Sequence, residues 1–366
     1  ENLIAGVCHS LKKTRPVFVI TSYAGSAVKQ EDWIFRPSWP GLLPFFVYAL
    51  CQGFVLLRRE PNIKVVLGGS PLVAPVVLIL ARLLGRKAIA LVHGSDLIYS
   101  SALYQLLCVR WLRRCDRIIA NSRFTASLAE QKKVPPDSIC VIPPGLHPER
   151  FVPDEAKDAR EAFGLESKKV ILYAGRLARR KGVKEFIENS LPRIVAEIPE
   201  TCFVIAGDNP TESLIHRDDV MEELKTAVLK SGLKSHVRLL GWLRDGDLPR
   251  IYQACDVMVL PVIPVPGDVE GFGIVLLEAA AAGKPAVATR AGGIPDAVED
   301  GRSGILVDPE DYEMMVRTIV RVLRDDQMRS TLGEYARARA VQSFSWETII
   351  RRYEALFDSL GDKECR

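Results

Sequence analysis

Short apolar runs that alternate with longer helical segments constrain the fold of this chain more than any other feature. In the first part of the chain, the predicted strands are residues 17–20, 65–67, 88–92, 117–120 and 139–142. The segments between them, for example 71–84 and 102–113, have the apolar spacing of helices. Because short buried strands joined by helices form parallel sheets, this part predicts a doubly wound α/β domain.

A second alternation of the same kind fills the later part of the chain. Its predicted strands are residues 170–173, 202–205, 237–240, 257–260, 286–289 and 305–307. A stretch rich in proline and charge, 143–168, indicates a linker between two domains. We place these domains at 1–145 and 146–345, and we expect the last helix, 346–362, to pack back on the first. The predicted fold class is α/β, with two Rossmann-like, doubly wound domains that face a central crevice.

Two glutamates, Glu270 and Glu278, follow the predicted strand 257–260 through a short loop. A carboxylate accepts hydrogen bonds from two neighbouring hydroxyls, so two carboxylates about two helical turns apart could hold two polyols of one ligand. The structural alternative is one carboxylate that favours a helix start and another on its solvated face. Because open α/β sheets bind ligands beyond the carboxyl ends of their strands, we predict a site for a sugar-rich ligand.

A basic loop, residues 175–182, connects the predicted strand 170–173 to a helix and contains four cations. The helix dipole disfavours cations at this end of a helix. An anion bound there would be held by free backbone amides as well as by the side chains. We therefore predict that Arg176 and Lys181 bind a diphosphate, and a merely solvated basic loop is the alternative.

Glycine-containing turns follow other strands of the second domain. Gly207 and Gly241 each come after a predicted strand, and Leu243 lies shortly beyond Gly241. We expect these residues to line the crevice, where a nucleobase could rest on backbone and apolar side chains. Gly292 and Gly293 open a further helix where a ligand could approach the backbone, with a plain turn as an equal alternative.

In the first domain, His93 follows the predicted strand 88–92 and precedes Gly94. A single histidine is more often structural than catalytic, but this one ends a buried strand on the side of the expected crevice, which favours a functional role. The sequence contains no nucleophile elbow and no closely spaced histidine pair. Asp245 and Asp247 are better explained as a turn before a helix than as a metal pair, so we predict chemistry without a metal.

Charge and cysteine content exclude several classes of protein. Lysine and arginine number 49 against 45 for aspartate and glutamate, and the net charge of +4 does not by itself indicate nucleic-acid binding. The eight cysteines lack metal-ligand spacing, which favours reduced thiols in the cytoplasm. An uncharged stretch, 37–57, contains Pro40 and Pro44, and these prolines favour a buried or interfacial helix from about Pro44 over a membrane span.

Together these motifs resemble the retaining glycosyltransferases of family 4, which include bacterial α-mannosyltransferases, sucrose synthases and many lipid glycosyltransferases. The resemblance covers nearly the whole chain and is strongest over residues 170–309. It implies the two-Rossmann architecture called GT-B, and it is closest to the bacterial α-mannosyltransferases that act on lipid acceptors. The matching elements are residues 93–94, 175–182, 207–208, 241, 270–278, 292–293 and 304–307.

The resemblance implies a role for each matching residue. Glu278 would bind the ribose hydroxyls of a nucleotide sugar, and Glu270 would bind the hexose hydroxyls. Arg176 and Lys181 would stabilise the leaving diphosphate without a metal or other cofactor, and His93 would contact the donor sugar near the reacting carbon. The expected catalytic residues are His93, Glu270, Arg176 and Lys181, and the expected donor-binding residues are Arg176, Lys181, Gly207, Gly241, Leu243, Glu270, Gly271, Phe272, Gly273, Ile274 and Glu278.

The reaction that this resemblance implies is transfer of a hexose with retention of its anomeric configuration. Mannose from GDP-mannose is the best match, and the acceptor would be a lipid-linked sugar or another glycan. UDP-glucose or another UDP-hexose is the alternative donor. The alternative functions are a nucleotide-sugar 2-epimerase-like enzyme of the same fold and an inactive nucleotide-sugar-binding protein.

In this family the N-terminal domain sets the acceptor, and here its basic and apolar residues are interleaved. Such a mixture suits an anionic membrane surface, and a solvated face is an equal alternative. We predict a cytoplasmic protein that contacts the membrane peripherally and binds no nucleic acid. The basic residues are Arg58, Arg59, Arg82, Arg86, Lys87, Arg110, Arg113, Arg114 and Arg117, and the apolar residues are Phe45, Phe46, Leu106, Leu107 and Trp111.

The first residues depart from the family pattern. Family members open with a strand and a Gly-Gly turn, whereas residues 1–7 here already have helical spacing. We therefore expect the first domain to lack its first strand.

Overall fold

The computed structural model describes residues 2–22, 31–151, 156–209, 219–244 and 246–361. Its internal contacts divide the chain into two compact units. The first unit is Glu1–Gly145 together with Trp346–Arg366, and the second is Leu146–Ser345. Each unit is built around a parallel sheet, as the alternation of strands and helices predicts.

The strands of the described residues pair in parallel within three sheets. In the first unit, β1 and β2 form a two-stranded sheet, and four strands follow the order β3-β4-β5-β6. In the second unit, six strands follow the order β12-β11-β10-β7-β8-β9. The strands are β1 Val19–Ile20, β2 Ile34–Phe35, β3 Val65–Gly68, β4 Lys87–Val92, β5 Arg117–Ala120, β6 Ile139–Val141, β7 Lys169–Ala174, β8 Thr201–Ala206, β9 Val237–Gly241, β10 Val257–Leu260, β11 Ala286–Thr289 and β12 Gly304–Val307.

Helices connect the strands and close the chain. The helices are α1 Asn2–Lys12, α2 Leu42–Arg59, α3 Ala74–Leu83, α4 Ser95–Ile98, α5 Ala102–Leu107, α6 Arg123–Gln131, α7 Ala156–Ala162, α8 Val183–Asn189, α9 Leu191–Glu197, α10 Val220–Lys230, α11 Asp247–Ala254, α12 Ile274–Ala281, α13 Ile294–Ala297, α14 Tyr312–Arg324, α15 Asp326–Phe344 and α16 Trp346–Gly361. Short 3-10 helices occur at Pro71–Val73, Val109–Arg114, Pro136–Ser138, Pro148–Arg150 and Arg179–Lys181.

Every predicted strand is present, with ends that differ from the prediction by no more than two residues. The helical spacing at the beginning of the chain corresponds to α1, and α16 packs on α1 within the first unit. Trp346 at the start of α16 lies directly over Gly6 and Gly145, where any side chain would collide with its indole. The strand β2 was not predicted, because its apolar run, Trp33 to Phe35, is short and lies between the charged Asp32 and Arg36.

The predicted linker, 143–168, is largely a structured part of the second unit. Phe151 and Leu165 are buried in its core, and α7 packs on α11. Apolar residues spaced among the prolines and charges of this stretch explain the difference. The seven described cysteines are free thiols, and Cys365 lies outside the described residues.

Candidate active site

Two loops of the second unit leave neighbouring strands at the same edge of the sheet. β7 and β10 pair in parallel, with Ile171 opposite Val257 and Leu172 opposite Met258. The loops 175–182 and 261–270 therefore begin side by side. The strand order reverses between β7 and β10, and open α/β sheets bind ligands at such a switch point.

Glycine backbone geometry brings these two loops into direct contact. Gly182 has a φ of 66°, and a Cβ there would overlap the carbonyl oxygen of Pro261. The Ile263 amide donates a hydrogen bond of 2.9 Å to the carbonyl oxygen of Arg180. The basic loop and the glutamate loop are therefore fixed against each other.

Four charged side chains from the two loops form a buried cluster. Lys181 Nζ lies 2.5 Å from Glu270 Oε2, and Arg180 contacts both Asp268 Oδ2, at 3.1 Å, and Glu270 Oε2, at 3.6 Å. These side chains are only 7% to 9% exposed. Two cations thus face two carboxylates, and the cluster is neutral as a whole.

The cluster keeps Glu270 ionised. Burial raises the pKa of Glu270, but Lys181 and Arg180 outweigh burial and hold this pKa below its ordinary value. Burial, assisted by Arg180, lowers the pKa of Lys181 against the attraction of Glu270. Both protein contacts of Glu270 fall on Oε2, and within the described residues Oε1 has no hydrogen-bond partner. One carboxylate oxygen is therefore available to a ligand hydroxyl.

The protein contacts one of the two carboxylate oxygens of Glu278, as it does for Glu270. It lies on α12, and its Oε2 accepts a hydrogen bond of 2.7 Å from the Tyr252 hydroxyl. Burial raises the pKa of Tyr252 far above its ordinary value, so the phenol remains a donor. Burial also raises the pKa of Glu278, while Tyr252 and Arg150 oppose this shift. No described residue binds Oε1, which again leaves one oxygen for a ligand.

Arg176 is exposed, as is Arg179, whereas Arg180 and Lys181 are buried. The Arg176 side chain makes no hydrogen bond or ion pair with any residue that the structure describes, whereas Arg179 lies 3.2 Å from Glu223. The Tyr173 hydroxyl donates to the carbonyl oxygen of Arg176 at 2.7 Å and so fixes the backbone there. Arg176 is therefore an uncompensated cation beside the buried cluster, suited to bind an anion.

The predicted glycine turns have mainly structural contacts. A Cβ at Gly207 would overlap the carbonyl oxygen of Gly175, and the Gly207 amide donates to Gly241 at 2.8 Å. Gly292 lies against the carbonyl oxygen of Glu270, which accepts a 2.9 Å hydrogen bond from Gly293. The pair at 292–293 thus supports the backbone of Glu270, and approach of a ligand to this turn stays a prediction.

The remaining predicted donor ligands present backbone more than side chain. Phe272 is buried against Phe344, so its side chain serves the core and does not present a surface to a ligand. Gly273 has a φ of 86° and precedes α12, whose first residue, Ile274, is 39% exposed. Leu243 is half-buried. The first amides of a helix have no partner within the helix, so those at this end of α12 can donate hydrogen bonds to hydroxyl or phosphate oxygens.

His93 lies at the end of β4 in the first unit. Its Nε2 is 3.0 Å from the carbonyl oxygen of Gly69, and its amide donates to the Asp96 carboxylate at 3.0 Å. A carbonyl oxygen only accepts hydrogen bonds, so Nε2 carries the proton and Nδ1 is the acceptor of the neutral ring. Contact of His93 with a donor sugar stays a prediction.

Three residues of the site were not predicted from the sequence, namely Arg180, Asp268 and Tyr252. Arg180 stands beside Lys181 in a basic run, where nothing in the sequence distinguishes a buried cation from an exposed one. The separation of Asp268 from Glu270 by one residue was the available signal for Asp268. Among the described residues, no group of three histidine, cysteine, aspartate or glutamate side chains is arranged to hold a metal.

Family models assign both units. Residues 155–339 match the family described as Glycosyl transferases group 1, and residues 5–150 match Glycosyltransferase Family 4. The chain therefore belongs to the group 1 glycosyltransferases, in family 4, and is a hexosyltransferase of the GT-B fold. The resemblance inferred from the motifs is confirmed.

Individual relatives agree with this assignment. The chain is 28% identical, over 95% of both chains, to a GDP-mannose-dependent alpha-(1-6)-phosphatidylinositol monomannoside mannosyltransferase from Mycolicibacterium smegmatis. It is 36% identical to a D-inositol 3-phosphate glycosyltransferase from Corynebacterium urealyticum, over 61% of this chain and 51% of that protein.

Solved structures show the fold. A sucrose-phosphate synthase from Thermosynechococcus elongatus superimposes with a TM-score of 0.79 at 21% identity, over 99% of this chain and 93% of that one. A glycosyltransferase from Rickettsia africae superimposes with a TM-score of 0.80 at 18% identity, over 99% and 94% of the two chains.

Proposed function

We propose that the chain is a retaining mannosyltransferase that needs no metal and transfers mannose from GDP-mannose to a lipid-linked acceptor. The observation that carries the proposal is the pair Glu270 and Glu278. The protein holds each carboxylate through Oε2 and leaves Oε1 without a partner among the described residues, and the exposed cation Arg176 acts electrostatically on Glu270. The mannosyltransferase relative that matches along almost the whole chain supports GDP-mannose over the alternative UDP-hexose.

In this proposal the chain's residues bind the donor and stabilise its leaving group. Glu278 accepts hydrogen bonds from the ribose hydroxyls, and Glu270 accepts them from the hexose hydroxyls. Arg176 and Lys181 neutralise the charge that develops on the diphosphate as the bond to the anomeric carbon breaks. The acceptor hydroxyl forms the new bond on the same face, and its proton passes to the departing phosphate oxygen.

Donor binding tests this proposal directly. We expect GDP-mannose to raise the melting temperature of the protein, because a ligand that binds only the folded state adds about 2.7 kcal/mol at 100 times its Kd. GDP, UDP, ADP and their sugars are compared by thermal shift and calorimetry. Arg176→Ala and Glu278→Ala should bind more weakly, and Arg179→Ala, at the neighbouring cation paired with Glu223, is the matched control. The proposal fails if no nucleotide binds, or if Arg176→Ala and Glu278→Ala bind like the parent.

Removing the hydroxyl of Tyr252 should make donor binding more sensitive to acid. The ribose site needs an ionised Glu278, so binding weakens as pH falls through the pKa of Glu278. Tyr252→Phe removes a hydrogen bond that lowers this pKa. The pKa of Glu278 therefore rises in the variant, and donor binding begins to weaken at a higher pH. Binding titrations with GDP-mannose between about pH 5 and pH 8 should show that, at the acidic end, Tyr252→Phe binds the donor roughly tenfold more weakly than the parent.

Tyr335→Phe is the control for the Tyr252 variant. The Tyr335 hydroxyl donates to Glu299 Oε2 at 2.7 Å, which is the same contact at another place in the second unit. The pH profile of Tyr335→Phe should match that of the parent. An unchanged profile for Tyr252→Phe would show that Glu278 does not bind the donor as an anion.

We further infer that the first unit contacts an anionic membrane through α2. By length and composition α2 could cross a membrane, and 22% of it is buried. Its beginning carries exposed apolar side chains, and its end carries the exposed Arg58 and Arg59. Phe45 and Phe46 pack against the core instead of facing outwards. The exposed apolar residues are Leu42 (59%), Leu43 (74%) and Val47 (54%) on α2 and Trp39 (72%) just before it.

Further arginines lie on elements that pack near α2. α2 packs on α3, which packs on the 3-10 helix Val109–Arg114, and Arg82 Nη2 donates to the carbonyl oxygen of Arg114 at 3.0 Å. Apolar side chains that enter the headgroup region and arginines that meet anionic lipids together favour peripheral attachment.

Vesicle binding tests the membrane contact. Replacing Leu42 and Leu43 with serine should weaken binding to phosphatidylglycerol vesicles roughly tenfold, because less apolar area leaves water. Leu229→Ser is the control, since Leu229 is 66% exposed on α10 of the second unit. Equal vesicle binding by the parent and the α2 variant, in a flotation assay, would contradict this role for α2.

A further inference from the structure

We propose that Arg180 and Asp268 form a positioning pair that holds Glu270 with its Oε1 open to the hexose of the donor. This inference rests on the proposed role of Glu270 in donor binding. Neither Arg180 nor Asp268 is assigned a contact with the donor. Both act through Glu270, and both are buried as deeply as the glutamate itself.

The fork of the Arg180 guanidinium spans the two carboxylates. Nη1 lies 3.1 Å from Asp268 Oδ2, and Nη2 lies 3.6 Å from Glu270 Oε2. Because the guanidinium is planar and rigid, the hydrogen bond of Nη1 with Asp268 also fixes the position of Nη2 relative to Glu270. The longer of the two contacts is the one to Glu270. The hydrogen bond to Asp268 therefore holds Nη1 away from Glu270, and the guanidinium does not close on both oxygens of Glu270.

The backbone holds Asp268 in place. The Asp268 amide donates to the carbonyl oxygen of Val265 at 3.1 Å, and residues 265 and 268 form an antiparallel bridge. Gly267, inside this turn, has a φ of 79° that favours glycine. The Arg180 carbonyl oxygen accepts from the Ile263 amide at the start of the same loop. Arg180 thus binds the loop 261–270 near its beginning and at its end.

The charge balance of the cluster predicts how it responds to substitution. Arg180 and Lys181 balance Asp268 and Glu270. Without the charge of Asp268, the Arg180 guanidinium is drawn more strongly to Glu270 and competes with the ligand for Oε1. Without Arg180, the anion of Asp268 stands beside Glu270 and disfavours its ionised form. Removing both charges restores neutrality and leaves the ion pair of Lys181 with Glu270.

A double-mutant cycle on donor binding tests this inference. Calorimetry measures the Kd of GDP-mannose and of GDP for the parent, Arg180→Met, Asp268→Asn and the double variant. Each single variant should bind GDP-mannose about tenfold more weakly, and the double variant should bind within about threefold of the parent. GDP affinity should change by less than about threefold in all of them, because GDP lacks the hexose that Glu270 binds.

Several results separate the possible failures. If the parent binds neither GDP nor GDP-mannose, and neither UDP nor UDP-glucose, the proposed function itself is wrong. If the parent binds and the single effects add up in the double variant, or if GDP is weakened as much as GDP-mannose, only the positioning role is wrong. The exposed pair of Arg193 and Glu313 provides the control, and Arg193→Met with Glu313→Gln should leave both Kd values unchanged.

The double-mutant cycle still tests the inference when one of the variants is unstable. Asp268→Asn preserves the shape of the side chain, and melting temperatures identify which variants are folded. If Arg180→Met does not fold alone, the double variant must still bind GDP-mannose more tightly than Asp268→Asn. A double variant that binds as weakly as Asp268→Asn overturns the inference.

Discussion

Replacing Lys181 with alanine is expected to lower the rate of mannosyl transfer by about 10²- to 10³-fold, since a fixed charge that stabilises a developing anion has an effect of this size. The substitution removes the ammonium that lies 2.5 Å from Glu270 and that is proposed to neutralise the leaving diphosphate. Steady-state kinetics with GDP-mannose should show the loss in kcat as well as in kcat/KM. A loss confined to KM would show that Lys181 serves ground-state binding alone.

Lys184→Ala is the matched control for this substitution. Lys184 lies in the first turn of α8, just after the basic loop, is 39% exposed and pairs with Glu223 at 3.6 Å. Its removal should leave transfer unchanged. Lys181→Ala should also reduce the free energy of unfolding by about 3 kcal/mol, because it removes the hydrogen-bonded cation of the buried Glu270. Denaturant unfolding measures this loss and sets the conditions under which the variant is fully folded for kinetics.

Gly182→Ala is expected to reduce the free energy of unfolding by about 3 kcal/mol, from left-handed backbone strain and from a steric collision. Gly182 has a φ of 66°, and the new methyl group would overlap the carbonyl oxygen of Pro261. The two loops would have to separate, so donor affinity should fall together with stability. Urea unfolding and GDP-mannose titration measure the two effects.

Gly232→Ala separates strain from collision. Gly232 has a φ of 67°, but a Cβ there would meet nothing within 4 Å. Its replacement should therefore cost only about 1 kcal/mol, from the left-handed conformation alone. Equal losses at the two positions would show that the contact between Gly182 and Pro261 does not hold the loops together.

Strand positions could be predicted from the sequence because burial on both faces of a parallel sheet produces continuous apolar runs. β10 and β11 match their predicted bounds, and β7, buried along nearly its whole length, differs by one residue at each end. The linker was harder to predict, because Phe151 and Leu165 enter the core from a stretch whose composition is typical of a loop. Composition describes an average, whereas two well-spaced apolar residues are enough to anchor a segment.

Within the site, residue types were easier to predict than their partners. Glu270, Lys181 and Arg176 could be selected because charged residues in the loops just beyond buried strands are typical of functional sites. That Lys181 pairs with Glu270 depends on the contact between the loops after β7 and β10, which no local pattern records. The sequence separation of 89 residues between these two side chains illustrates the difficulty. Tyr252 and Asp268 were missed for the same reason.

Transfer of labelled mannose from GDP-mannose to an extract of lipid-linked acceptors, with EDTA present, tests the central claim most directly. We predict that the label enters the lipid fraction with the parent and that Glu278→Ala transfers little. Transfer that requires an added divalent metal would contradict the metal-free role of Arg176 and Lys181. Transfer from UDP-glucose but not from GDP-mannose would contradict the proposed donor.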